Sequence, residues 1–182
     1  HNQKPNPMKR HMTHHPRAAS FTAAVLGLSL LAAATVQAQD GTWINLTNGS
    51  WANSANWAGG TIADGANNTA DFSTLDLTND ISVTLDGART IGSVVFDDTT
   101  ADTNGYSALQ IDTGSAGPLT FDGTAPSISS TNGVGAIAAV VAGANGLTKT
   151  GPGTVAWFNN GNTITGKVVV AEGVLFVEGP NN

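Results

Sequence analysis

The feature that most constrains this chain is a five-residue unit that recurs with small variations. Val83-Thr-Leu-Asp-Gly87, Leu119-Thr-Phe-Asp-Gly123, Leu147-Thr-Lys-Thr-Gly151 and Leu175-Phe-Val-Glu-Gly179 share one pattern, an apolar start, a polar fourth position and a closing glycine. Val94-Val-Phe-Asp-Asp98 and Leu109-Gln-Ile-Asp-Thr113 are looser copies. A strand this short cannot bury its apolar face alone. It becomes stable when near-copies stack about 4.8 Å apart and share a continuous core.

The rest of the chain after Gly41 agrees with short strands and tight turns. Ile81, Val83 and Leu85 alternate onto one face, and similar alternation marks 109–111, 119–121, 168–170 and 174–177. Asp-Gly, Thr-Gly, Asn-Gly and Glu-Gly pairs separate these runs and supply the positive φ of a bend. Thr, Val, Ile, Asn and Gly dominate, which favours pleated strands over helices. An all-β domain follows, as a sandwich, a barrel or a solenoid. Asn67, Asn68, Asn159, Asn160 and Asn162 suit stacked bends, where side-chain amides ladder between coils. Hairpin turns in a sandwich would use the same residues.

Residues 1–38 read as an address. A basic stretch from Met8-Lys9-Arg10 to Arg17 precedes an apolar run, Phe21 to Val36, which ends in Val36-Gln37-Ala38. Those are the three parts of a secretory signal peptide, with cleavage expected after Ala38. The apolar run falls short of the ~20 residues that span a bilayer, and no later segment is apolar enough to span one. The residues before Met8 are read as upstream read-through or an early start, outside the fold. The expected mature chain holds 144 residues, and export machinery is its first expected partner.

Removing the leader sharpens the chemistry. The whole chain has 7 Lys and Arg against 13 acids, but from Gln39 onward only Arg89, Lys149 and Lys167 are basic and no His, Cys or Met is left. The mature charge is −10. Disulfides, Cys or His metal sites, and Ser-His-Asp or Cys-His catalysis are excluded. Three scattered cations make no nucleic-acid footprint, and no cofactor is expected.

The segment from Ala144 to Val177 resembles the autotransporter-associated β-strand repeat, also called the passenger-associated transport repeat. Residues 146–155 (Gly-Leu-Thr-Lys-Thr-Gly-Pro-Gly-Thr-Val) correspond to its opening. Asn162-Thr-Ile-Thr-Gly166 corresponds to its centre, and Val170, Gly173, Leu175 and Val177 to its close. The departures are Val155 for Leu, Ile164 for an aromatic and Pro152 between the glycines. Upstream, Gly49 to Trp57, Asp64 to Phe72, 83–86 and 89–96 are similar to the start of many large exported proteins of this kind. The resemblance implies a right-handed parallel β-helix, secreted or displayed on the outer membrane of a Gram-negative-type bacterium. The expected organisation is a leader (1–38), a Trp/Asn-rich capping region (39–80), solenoid coils (81–143), the repeat (144–177) and a short tail (178–182), truncated from a larger protein.

Candidate sites are few. Trp51 and Trp57 would stack on sugar rings if exposed, making a glycan-binding platform; as hydrophobic plugs they would instead close the N-terminal end of the solenoid. Asp86, Asp97, Asp98, Asp112 and Asp122 all follow strands. Aligned, they would suit Ca²⁺ or acid–base work on a glycan, although Asp before Gly is also an ordinary turn preference. Lys149 and Lys167 read as solubilising gatekeepers on strand faces. Gly151, Gly153, Gly166 and Gly173 read as bends of the coil. The expected role is a structural or adhesive passenger or stalk without catalysis, meeting surface glycans or other cells. A glycan-binding or polysaccharide-degrading passenger is the alternative.

Overall fold

The computed structural model describes residues 1–2, 38–100, 108–114 and 117–178. The expected signal peptide and the last residues of the tail lie outside the described residues, apart from Ala38, which is exposed, and Glu178. The chain divides into two units, His1–Ala34 and Thr35–Asn182, and the architecture below is that of the second.

Among the described residues, fifteen short strands build it: β1 (Gly41–Thr42), β2 (Gly49–Ser50), β3 (Gly65–Asp71), β4 (Ile81–Thr84), β5 (Arg89–Phe96), β6 (Ala108–Asp112), β7 (Leu119–Phe121), β8 (Ser127–Ser130), β9 (Val134–Ile137), β10 (Val141–Gly143), β11 (Leu147–Thr150), β12 (Thr154–Trp157), β13 (Thr163–Ile164), β14 (Val168–Val170) and β15 (Val174–Val177). Two 3-10 turns, Ser54–Asn56 and Ala58–Gly60, lie between β2 and β3. Every pairing between these strands is parallel. One sheet runs β13-β10-β7-β5-β8-β11-β14 with β3 and β1 attached through β5, and the other runs β15-β12-β9-β6-β4-β2. The fold is a parallel β-solenoid. A sandwich of antiparallel hairpins is excluded.

Each later coil contributes three strands in sequence: β7-β8-β9, then β10-β11-β12, then β13-β14-β15. In the earlier coil β5 is continuous, its first half pairing β7 and its second half β8. The coils shorten as they go. The inward positions Ile81, Leu109, Gly135, Val155 and Leu175 lie in direct register, 28, 26, 20 and 20 residues apart. Pairing begins before residue 81, since β1, β2 and β3 already ladder onto the next coil.

The core is a set of columns rather than a layer. Val83, Ile111, Ile137 and Trp157 form one buried column, and Leu109 and Val155 belong to another. Strand alternation places these residues inward and leaves Ser82, Gln110 and Thr154 outward. Gly135 is an inward position with no side chain because the Phe96 ring occupies its place: a Cβ there would lie 2.3 Å from Phe96 Cδ2.

The near-copies that suggested stacking do not stack on one another. The Val83 unit lies in β4 and the Leu175 unit in β15 of one sheet, while the Leu119 and Leu147 units lie in β7 and β11 of the other. What repeats is a strand followed by a corner, three times per coil. The unit therefore marks sides of the coil rather than whole coils.

Candidate functional surfaces

The tryptophans close the first coil. Trp43, Trp51 and Trp57 are 0–1% exposed. Trp57 meets Trp43 edge-on at 5.1 Å and Trp51 at 5.0 Å, and all three pack on Phe72, which stacks on Phe96 at 5.8 Å. Their polar ends are satisfied internally. Trp51 Nε1 donates to Ala63 O, Trp57 Nε1 to Trp51 O, and Trp43 Nε1 to Asn45 O. Neither Trp51 nor Trp57 offers a ring face to a sugar, so the glycan-platform reading of this pair is corrected. The geometry is that of a plug, fixed by the turns around Asn53, whose side chain accepts Ala55 N–H. Trp157 is also buried, but its indole N–H has no acceptor among the described residues.

The aspartates are dispersed. Asp98 is buried and accepts Leu77 N–H, while Asp97 accepts Asn132 N–H. Asp112 accepts the Ser82 hydroxyl and the Gln110 amide. Asp122 accepts Asn145 Nδ2 at 2.7 Å. Asp86, at φ 50°, accepts Thr84 Oγ1. Among the described residues no three acidic or imidazole side chains converge to hold a metal ion. The proposed alignment on one edge is therefore corrected: each carboxylate closes a corner or joins neighbouring coils.

The same use recurs at strand starts. Asp40, Asn48, Asp64 and Asp80 each stand one residue before a strand. Each accepts the backbone N–H directly across in the next coil, at Thr69, Ser82, Thr90 and Ala108. Asp64 also pairs with Arg89 at 3.5 Å. An open groove of about 340 Å³ on the outer face of the second sheet is lined by Asn48, Asp80, Ile81, Ser82, Ala108 and Gln110, where Asn48 Oδ1 and Asp80 Oδ1 are already engaged by backbone N–H groups. Of the asparagines expected to ladder through their amides, three bond the backbone of other coils instead, Asn67 reaching past β5 to the corner after β7, while Asn68 Nδ2 donates to Asp64 O of its own coil. Asn67 Oδ1 accepts Thr124 N–H, Asn162 Oδ1 accepts Val141 N–H, and Asn159 Nδ2 donates to Ala138 O.

Lys167 is exposed, but Lys149 is not the outward solubilising gatekeeper expected. Its side chain points inward and is 0% exposed. It shares a column with Ile128 and Val170. Its ammonium donates to Thr150 O and Gly151 O at 2.7 Å and to Glu172 O at 3.2 Å. Burial pushes its pKa below the ordinary lysine value, and the Glu172 carboxylate offsets part of that shift. The expected bends are present around it: Gly151 and Gly173 have φ of 76° and 70°.

Sequence reasoning passed over an outward aromatic pair. Phe158 and Phe176 are 42% and 51% exposed and their rings lie 6.3 Å apart. Phe176 pairs in register with Ala156, and Ala156 with Ala136, so two small outward residues adjoin the pair. The signal was available at Trp157-Phe158, because two adjacent aromatics on a strand of period two cannot both face the core.

Among the described residues no helix is long and apolar enough to cross a membrane. The chain is 34% identical over 96 residues to the adhesin BmaC autotransporter of Brucella suis biovar 1 (strain 1330), a match that covers 53% of this chain and 2% of the adhesin. The chain thus spans a very small part of the relative it matches. No protein-family model and no solved structure matches it. The parallel solenoid and the similarity to an autotransporter adhesin fit an autotransporter passenger repeat protein.

Proposed function

We propose that this chain is an exported passenger segment at the surface of a Gram-negative-type cell, adhesive or spacing in role and without catalysis of its own. The observation that carries the reading is the use of its polar side chains. Asp40, Asn48, Asp64, Asp80, Asp97 and Asn162 bond the backbone of the neighbouring coil, so the solenoid's chemistry is spent on stacking. Coils of this kind are right-handed, the sense adopted by nearly all parallel crossover connections. Export by cleavage after Ala38 is supported by where pairing starts. Ala38 and Gln39 are exposed, and among the described residues Gln39 is the first to bond the fold, through Asp64. The leader-to-tail organisation read from the sequence is part of the same proposal.

The glycan-binding alternative moves from the tryptophans to Phe158 and Phe176, whose outward, exposed rings are able to stack on a sugar face. The test is adhesion of beads coated with the purified chain to cells and to immobilised polysaccharides, with product analysis of the polysaccharide. Saturable adhesion without depolymerisation supports the proposal. Loss of that adhesion in Phe158→Ala/Phe176→Ala places the contact on the aromatic pair. Release of shorter sugars by the pure chain would refute the non-catalytic reading.

A further inference from the structure

Lys149 presents a problem that stability alone does not resolve. A charged group inside a stacked apolar column costs free energy unless it is well paired, and an apolar residue of similar length is often as good or better there. Yet the inward position between Ile128 and Val170 is a lysine. Its three acceptors divide between coils: Thr150 O and Gly151 O belong to its own corner, and Glu172 O to the corner of the next coil.

That next corner sits directly on the first. A Cβ on Gly173 would lie 2.4 Å from both Gly151 O and Gly153 O, and Gly173 holds φ 70°. Only a glycine in the left-handed region lets the two corners close to this distance. The seating of Gly173 is therefore what carries Glu172 O over the ammonium. Ala171 N–H bonds Lys149 O and Val174 N–H bonds Gly153 O, so the two corners are tied on either side of the lysine.

We propose that Lys149 is an edge guard, an inward charge that keeps the solenoid's exposed edge from pairing with another chain until the coil β13-β14-β15 seats and its corner takes up the ammonium. When that coil opens, β10, β11 and β12 become a row of unpaired backbone groups beside apolar inward residues. Such an edge is a template for association, and an inward-pointing charge is one of the devices that blunt it. When the coil closes, the ammonium exchanges water for three carbonyls and leaves no charge at the edge. The residue acts on association and on coil closure, not as a net stabiliser.

Three measurements on the full chain test this. In amine acetylation read by mass spectrometry, Lys149 is expected to react at least about tenfold more slowly than Lys167, because its labelling requires the coil to open. Gly173→Ala is expected to bring the two rates within about twofold while amides in 81–137 keep their protection. Lys149→Met is expected to keep or raise the urea midpoint, yet to give at least about twice as much oligomer on refolding at high concentration. Labelling of Lys149 as fast as Lys167 in the unmodified chain would overturn the proposal. So would Lys149→Met refolding with no more oligomer than the parent, a result that does not depend on how Gly173→Ala folds.

Discussion

Removing one plug indole should cost more than a typical core truncation. Trp51 is fully buried, and its ring lies 5.0 Å from Trp57 and 5.7 Å from Phe72. Truncation of a buried Trp to Ala costs about 3–5 kcal/mol. Trp51→Ala also strands Ala63 O, which now accepts Trp51 Nε1 at 2.9 Å, adding about 1 kcal/mol for an unsatisfied buried carbonyl. The sum of roughly 4–6 kcal/mol is a large part of the ~5–15 kcal/mol that domains possess. At a urea slope of about 2 kcal/mol/M the midpoint should fall by about 2–3 M. Strand pairing runs only between neighbouring coils, so the damage should start locally. Amides of Gly41–Asp71 should lose protection before those of Val134–Trp157. Trp57→Phe, which keeps most of the ring but loses the bond to Trp51 O, should cost only about 1–2 kcal/mol. Urea unfolding followed by far-UV circular dichroism, with hydrogen exchange by mass spectrometry, reads both quantities. A midpoint for Trp51→Ala within roughly 0.5 M of the parent would refute the plug.

Three further outcomes follow from the geometry. The pKa of Lys149 is lowered by burial, so between its folded value and the ordinary lysine value near 10.4 the unfolded chain binds more protons, and stability rises with pH across that window. Below the folded value the cost of the buried charge is fully present. Relative to the parent, Lys149→Met should flatten this rise in urea midpoints measured from pH 8 to 10.5, and a slope shared by both proteins would contradict it. Gly135→Ala forces a Cβ to within 2.3 Å of the Phe96 ring and should cost about 1–3 kcal/mol, whereas Gly161→Ala, whose nearest neighbour is Asn159 Oδ1 at 3.2 Å, should stay within about 1 kcal/mol. The inward Val168 and Val170 of the last coil are 38% and 49% exposed while Val83, Ile91 and Val94 are fully buried, so amides of Val168–Val177 should exchange faster than those of Val83–Phe96. Uniform protection across both would count against coil-by-coil stability.

Local structure was largely legible in the sequence and register was not. Ile81, Val83 and Leu85 alternate inward as the pattern implies, because a period of two is a property of the strand itself. Which strand lies beside which depends on coil length, and that changes from 28 to 20 residues along the chain. Near-copies such as those at Leu119 and Leu147 were therefore poor guides to stacking. Lys149 was misplaced for a different reason. The alternation Leu147-Thr-Lys-Thr150 puts position 149 on the inward face, but its charge argued for solvent, and only the backbone carbonyls of two corners reconcile the two. The plug at Trp43, Trp51 and Trp57 was legible as one of two alternatives, since ring exposure is not encoded locally. The carboxylates were visible as turn residues. Their bonds to backbone groups in the next coil were not, because the partner Thr69 lies 29 residues from Asp40 and Ala108 lies 28 from Asp80.

The central claim is that successive coils stack in parallel with a fixed register. The chain has no cysteine, so paired cysteines report that register without background. Ser127 pairs directly with Thr148, and Thr148 with Val169, all on strands facing outward. Adjacent parallel strands lie about 4.8 Å apart, within disulfide reach, and two coils apart they lie at about 9.6 Å, beyond it. Mild oxidation should cross-link Ser127→Cys/Thr148→Cys and Thr148→Cys/Val169→Cys in the folded protein, and should leave Ser127→Cys/Val169→Cys reduced. Cross-linking of the 127/169 pair ahead of the other two, in a protein that remains folded, would contradict the solenoid and the account built on it.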